Sequence, residues 1–172
     1  MSWFETAGLG STTLPVIEIA LRLLLATLFG AVIGFERELR GRSAGLRTHM
    51  LTALAASMFT ILTFEIFHQV RQLDNTTNVD PLRLIEAVTT GVSFLAAGTI
   101  IHGSGKVQGL TTGAGIWLAG AVGVACGAGF YVIAVMGTVL ALIIFVLLKR
   151  FERYVLDTKK SRSGSATDEK NS

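Results

Sequence analysis

Apolar residues fill five stretches of the chain, the last two joined end to end, and they come as runs instead of stripes. The runs cover residues 16–35, 47–67, 82–101 and 110–148, the last being nearly 40 residues long. A soluble helix keeps one polar face, whereas a helix surrounded by lipid or by other apolar helices needs none. About 20 mostly apolar residues cross the hydrocarbon core of a bilayer, so the fourth run is too long for one crossing. Gly127-Ala128-Gly129 is its natural break. The pattern therefore predicts an all-α membrane protein of five transmembrane helices in a compact bundle, at residues 16–35, 47–67, 82–101, 110–126 and 130–148.

Punctuation supports these limits. Pro15 suits the start of a helix, and Asp80-Pro81 reads as an N-cap followed by proline at the first helical position. Trp3-Phe4 suits an interfacial anchor. The second run is rich in Ala, Thr and Ser, the composition of a helix packed inside a bundle. Small residues let helix backbones approach closely in lipid. Gly30, Gly34, Gly98, Gly113 and Gly123 are the candidate contact points, and Ala119, Gly123 and Gly127 form a stripe that places the fourth helix deep in the bundle. The fifth run, rich in Val, Ile and Leu, is expected to face lipid. The chain then divides into an N-terminal segment (1–15), a five-span membrane domain (16–148) and a basic tail (149–172) whose end has a disordered composition.

Composition agrees: 51% of the 172 residues are hydrophobic and 16% charged, with two prolines, which excludes both a disordered and an ordinary soluble chain. The single Cys126 cannot form an internal disulfide. The first fifteen residues lack Lys and Arg, so no cleavable signal peptide is expected. The net charge of +3 equals the excess in the tail, which holds seven Lys/Arg and four Asp/Glu. Five spans put the termini on opposite sides. Twelve Lys/Arg fall on the side of the 37–47 turn, Lys106 and the tail. The positive-inside rule makes that side cytoplasmic and leaves the N-terminus outside. No aromatic residues interleave with the basic ones as a nucleic-acid site requires, so nucleic acid is not an expected partner.

Two polar groupings carry candidate chemistry. The cytoplasmic one centres on Glu36, Arg37, Arg47, Thr48, Lys106 and Thr111, with Glu38, His49 and Thr112 beside them. A guanidinium fork matches a carboxylate or phosphate, and Arg47 and Thr48 open a helix whose N-terminus is electropositive. Binding of an anion, headgroup or partner and simple orientation charge with ion pairs both remain open. The external grouping holds Glu18, Arg22, Glu65, Arg83 and Glu86. It reads either as a cation or proton site or as structural ion pairs. The HGSGK segment lacks the other residues of a phosphate-binding loop. The three histidines have no metal-ligand spacing. No nucleophile, base or cofactor constellation appears, so the chain is not expected to be an enzyme.

Three ordered segments resemble the MgtC/SapB family of bacterial inner-membrane proteins: IGFERE followed by AGLRTH at 33–49, DPLRLIEAVTTGVSFLAAGTI at 80–100, and VQGLTTGAGIWLAGAVGVACGAGFY at 107–131. The resemblance implies a form without a C-terminal soluble domain. It also implies an inner-membrane accessory or regulatory protein linked to growth at low magnesium and to survival inside hosts. Implied partners are the bilayer, a second copy of the chain, and a membrane protein such as the rotary ATP synthase. Matched to the family motif, Glu36, Arg37, Arg47, Thr48 and Thr111 are favoured as functional. One departure is Ala96, where the family's FLGAG reads FLAAG. The alternative function is a small ion or solute transporter for magnesium or protons. An odd number of spans offers no simple inverted repeat of the kind common in transporters.

Overall fold

A computed structural model describes residues 12–73, 80, 82–103 and 106–147. Among them are five helices: α1 (Val16–Leu39), α2 (Leu46–Leu73), α3 (Leu82–Gly98), α4 (Leu110–Gly127) and α5 (Tyr131–Leu147). Between α3 and α4, β1 (Ile101–Gly103) pairs antiparallel with β2 (Lys106–Gln108), with His102 opposite Val107. Three helices are long and apolar enough to cross a membrane: Val16–Leu39, Leu46–Gln72 within α2, and Leu110–Gly127. The 17-residue α3 and the apolar α5 are shorter. The chain divides into two compact units, Met1–Thr138 and Val139–Ser172. The described part of the second, residues 139–147, continues α5; the tail from 149 lies outside the described residues.

In the first unit α2 is central. It packs along α1 on one side and α4 on another, while α3 rests on α4 and barely meets α2. Small residues make these seams, because only they bring two backbones together. A Cβ added at Gly30 would sit 2.7 Å from the His49 carbonyl, and one at Gly34 2.8 Å from the Leu46 Cα. A Cβ at Gly123 would fall onto the Ala53 carbonyl, and one at Gly127 would sit 2.7 Å from the Ser57 carbonyl. Ala119 is fully buried beside them, so the Ala119-Gly123-Gly127 stripe faces helix. Where α4 meets α3, Gly113 meets the Ala96 carbonyl and Gly120 meets Val92. The buried stripe of α3 is Val88, Val92 and Ala96. Gly98 is a correction: it is exposed, and an added Cβ there meets nothing within 4 Å. It ends α3 just past the contact that Ala96 makes.

Both α1 and α2 run further than their apolar runs. The charged residues Glu36, Arg37 and Glu38 lie within α1, not in a loop. The helix stops at Gly41, whose φ of +61° is the left-handed conformation glycine tolerates. Gly41 N–H bonds the Glu38 carbonyl at 2.9 Å and Arg42 N–H the Arg37 carbonyl at 3.2 Å. That pair of bonds is a Schellman motif, and it ties up carbonyls a helix end otherwise leaves bare. Gly45 directly precedes α2. Inside the spans, hydroxyls return to the carbonyl one turn back: Thr52 to Thr48, Thr60 to Ala56 and Thr138 to Ala134. Such bonds keep a hydroxyl satisfied where no water is at hand.

Candidate functional site

The antiparallel packing gathers one set of polar groups at each end of the bundle. At the α1–α2 hairpin, Glu36 pairs with Arg40 one turn on, and lies 3.8 Å from Arg37. Arg37 is only 3% exposed, on the inner face of α1. Glu38 reaches across the turn, and its Oε2 accepts the Leu46 N–H at 3.0 Å. A carboxylate there satisfies a bare donor and complements the positive end of α2. Gly45 makes room for it, since an added Cβ would collide with Glu38 Oε2. His49 is fully buried against α1, with Nδ1 2.8 Å from the Gly45 carbonyl. Its Nε2 finds no hydrogen-bond partner among the described residues. The hairpin is therefore closed by its own charges.

Of the six residues singled out at this end, the structure joins Glu36 and Arg37. Arg47 is exposed on the first turn of α2 and makes no ion pair among the described residues; the nearby acids Glu36 and Glu38 are engaged elsewhere. Thr48 beside it is half-buried. Thr111 points outward, and its neighbour Thr112 is the buried one, at 3% exposure. The side chain of Lys106 lies outside the described residues. What the sequence reading underweighted was Glu38 as the closing acid and Gly41 as the stop. An Arg-Gly pair right after a helical run is the sequence signal for that stop.

At the other end, the expected grouping of Glu18, Arg22, Glu65, Arg83 and Glu86 is separated into three places. Arg22 pairs with Glu18 and donates through Nη1 to the Gly127 carbonyl at 2.7 Å. This completes the end of α4. Ala128 N–H takes the Val124 carbonyl, Phe130 N–H the Ala125 carbonyl and Gly129 N–H the Cys126 carbonyl. Gly129, at φ +83°, makes the left-handed turn. All four terminal carbonyls are thus satisfied, as burial in lipid demands. Glu65 is buried and accepts three hydrogen bonds, from Thr13 N–H at 2.6 Å, Thr13 Oγ1 at 2.8 Å and Leu14 N–H at 2.9 Å. It fastens the segment entering α1 to the end of α2. Arg83 and Glu86 are exposed on α3 and touch neither. With Glu18 paired to Arg22, Glu65 bonded to Thr13 and Leu14, and Glu86 exposed, the three acids are not gathered in one place.

The interior between the two ends holds Ala26, Ala53, Ala119, Ile33 and Ile116, with buried Ser57 and Thr60. The described residues contain no group of three His, Cys, Asp or Glu side chains placed to hold a metal.

Comparison with known proteins locates the chain. The MgtC family model matches residues 23–154. The chain is 39% identical over 127 residues to "Putative magnesium transporter YhiD" of Escherichia coli (strain K12), covering 74% of this chain and 59% of that protein. It is 37% identical over 151 residues to Protein MgtC of Brucella abortus (strain 2308), covering 88% and 59%. With Protein SapB of Bacillus subtilis (strain 168) it shares 43% over 115 residues, covering 66% and 49%. The chain thus spans about half to three-fifths of the length of these curated relatives. No solved structure is significantly similar to it.

Proposed function

The chain belongs to the MgtC family, and from that membership we propose that it is a magnesium-linked accessory protein of the bacterial inner membrane, not an enzyme and not itself a channel. It crosses the membrane five times, with the α1–α2 hairpin on the cytoplasmic side, and acts there on a membrane partner or on headgroups. The rotary ATP synthase is one such partner. The names MgtC and "Putative magnesium transporter YhiD" among its relatives support the magnesium link. The observation that supports the accessory role is the tight packing of α2 against α1 and α4. Gly30, Gly123 and Gly127 press backbone on backbone. Magnesium keeps several waters in an octahedral shell, and seams that cannot admit a methyl group cannot admit that shell. The hairpin's acids are meanwhile spent on the turn, which leaves Arg47 and the Thr48 hydroxyl unengaged by the described residues.

Arg47 is the test. A forked guanidinium contact to carboxylate or phosphate is not reproduced by a lysine ammonium. Arg47→Lys and Arg47→Ala are expected to insert normally yet fail to support growth of a deletion strain at low magnesium. Arg42→Ala, exposed in the turn, supports growth. Full growth with Arg47→Lys at equal membrane level reduces the hairpin to an orientation signal. Purified protein that moves magnesium or protons across liposomes would establish the transporter reading instead.

A further inference from the structure

The seam between α2 and α3 is much looser than those α2 makes with α1 and α4. The stripe Val88, Val92 and Ala96 turns α3 toward α4, so its neighbouring face never closes on α2. What remains is a groove of about 1040 Å³, walled by side chains such as Phe59, Leu62, Ala87 and Gly91. Phe59 and Leu62, both more than half exposed, line it. An added Cβ at Gly91 meets nothing within 4 Å. At one end only, the lining becomes charged, with Asp80 and Arg83. These two are close in sequence and of opposite sign, yet they form no ion pair. Asp80 Oδ1 accepts the Leu82 N–H at 2.9 Å, and the Arg83 side chain makes no hydrogen bond or ion pair among the described residues.

From Arg83 to Leu95, α3 rises about 18 Å at 1.5 Å per residue, close to the roughly 15 Å of one leaflet's hydrocarbon. The groove is thus one leaflet deep, apolar along its length, and carries a separated cation and anion where headgroups lie. We propose that it holds a phospholipid of the ethanolamine class, with an acyl chain between α2 and α3. The phosphate meets Arg83 and the start of α3; the ammonium meets Asp80. A purely anionic headgroup gains Arg83 but is repelled by Asp80. A choline headgroup keeps the charges but offers Asp80 no N–H donor. This lipid site is independent of the proposed accessory role and involves none of the hairpin residues.

The test is native mass spectrometry of the full chain released from nanodiscs of equal parts phosphatidylethanolamine, phosphatidylglycerol and phosphatidylcholine. One bound phosphatidylethanolamine per chain is expected, in clear excess over the other two. Arg83→Gln is expected to lower retention about tenfold, the change that follows loss of a charge-assisted hydrogen bond. Asp80→Asn preserves the helix cap and is expected to abolish the preference for ethanolamine over choline. Gly91→Trp fills the groove and removes the lipid. Arg83→Gln and Asp80→Asn lie on the surface and decide the matter if Gly91→Trp does not fold. Wild-type protein that carries no lipid, retains all three headgroups equally, or instead yields a dimer with an empty groove overturns the proposal.

Discussion

At the scale of residues, what a position tolerates follows from what its missing or present atoms would touch. Gly123 sits with the Ala53 carbonyl where a Cβ would go, and a backbone atom on a packed helix cannot step aside. Gly123→Ala is expected to destabilise by about 1–3 kcal/mol, the usual effect of overpacking, and Gly123→Leu by more. Gly91→Ala is the contrast. Open space surrounds that position, so removing backbone freedom from mid-helix stabilises by about 0.5–1 kcal/mol. Thermal unfolding in detergent measures both; equal midpoints for the two alanine variants would show that α4 does not press on α2. The acids divide likewise. Glu65→Gln cannot accept from Thr13 and Leu14 with both its terminal atoms and is expected to cost about 1–3 kcal/mol. Glu86→Gln, exposed on α3, leaves the midpoint unchanged.

At the scale of elements, helix ends decide where the polar residues go. Both α1 and α4 stop in a left-handed glycine, Gly41 and Gly129, because the Schellman geometry needs a positive φ there. Gly41 has nothing within 4 Å, so its requirement is conformational alone. A β-branched residue at φ +61° is strained by about 1–2 kcal/mol, whereas asparagine visits that region routinely. Gly41→Val is expected to lower stability by that amount and Gly41→Asn to be nearly silent, read by detergent unfolding. If both behave alike, the end of α1 is not held by this turn. The ends also explain why the outer charges separate. Arg22 is drawn to the Gly127 carbonyl and Glu65 to two backbone N–H groups, since bare backbone in lipid is a stronger demand than pairing one side chain with another.

At the scale of the molecule, the expected topology rests on charge. With the five crossings proposed, twelve of the fifteen Lys/Arg fall on one side, and such a bias orients membrane proteins. A reporter fused after Lys170 is expected in the cytoplasm and one inserted at Asn75 outside. The reverse result at either site removes the five-span arrangement and, with it, the cytoplasmic placement of Arg47. The same arrangement puts the α2–α3 groove in the outer leaflet, because its charged mouth lies at the end of α2 and the start of α3.

Apolar runs, punctuation and small-residue spacing settled the helices, their order and the inner position of α4, because lipid removes every alternative for the backbone except internal hydrogen bonds. Gly30, Gly34, Gly113 and Gly123 were legible as contact points for the same reason: spacing on a helix reports a shared face. Gly98 was not, since a glycine near a helix end can serve the ending instead of a seam, and which it does depends on the neighbouring helix. The sequence placed Glu18, Arg22, Glu65, Arg83 and Glu86 at one depth but could not distribute them around the bundle. Depth follows from one dimension of the chain; azimuth follows from which helix sits beside which. Tertiary packing alone decided that Arg22 caps α4, that Glu65 holds the entry to α1, that Glu38 closes the hairpin, and that α3 turns toward α4 and leaves a groove behind it.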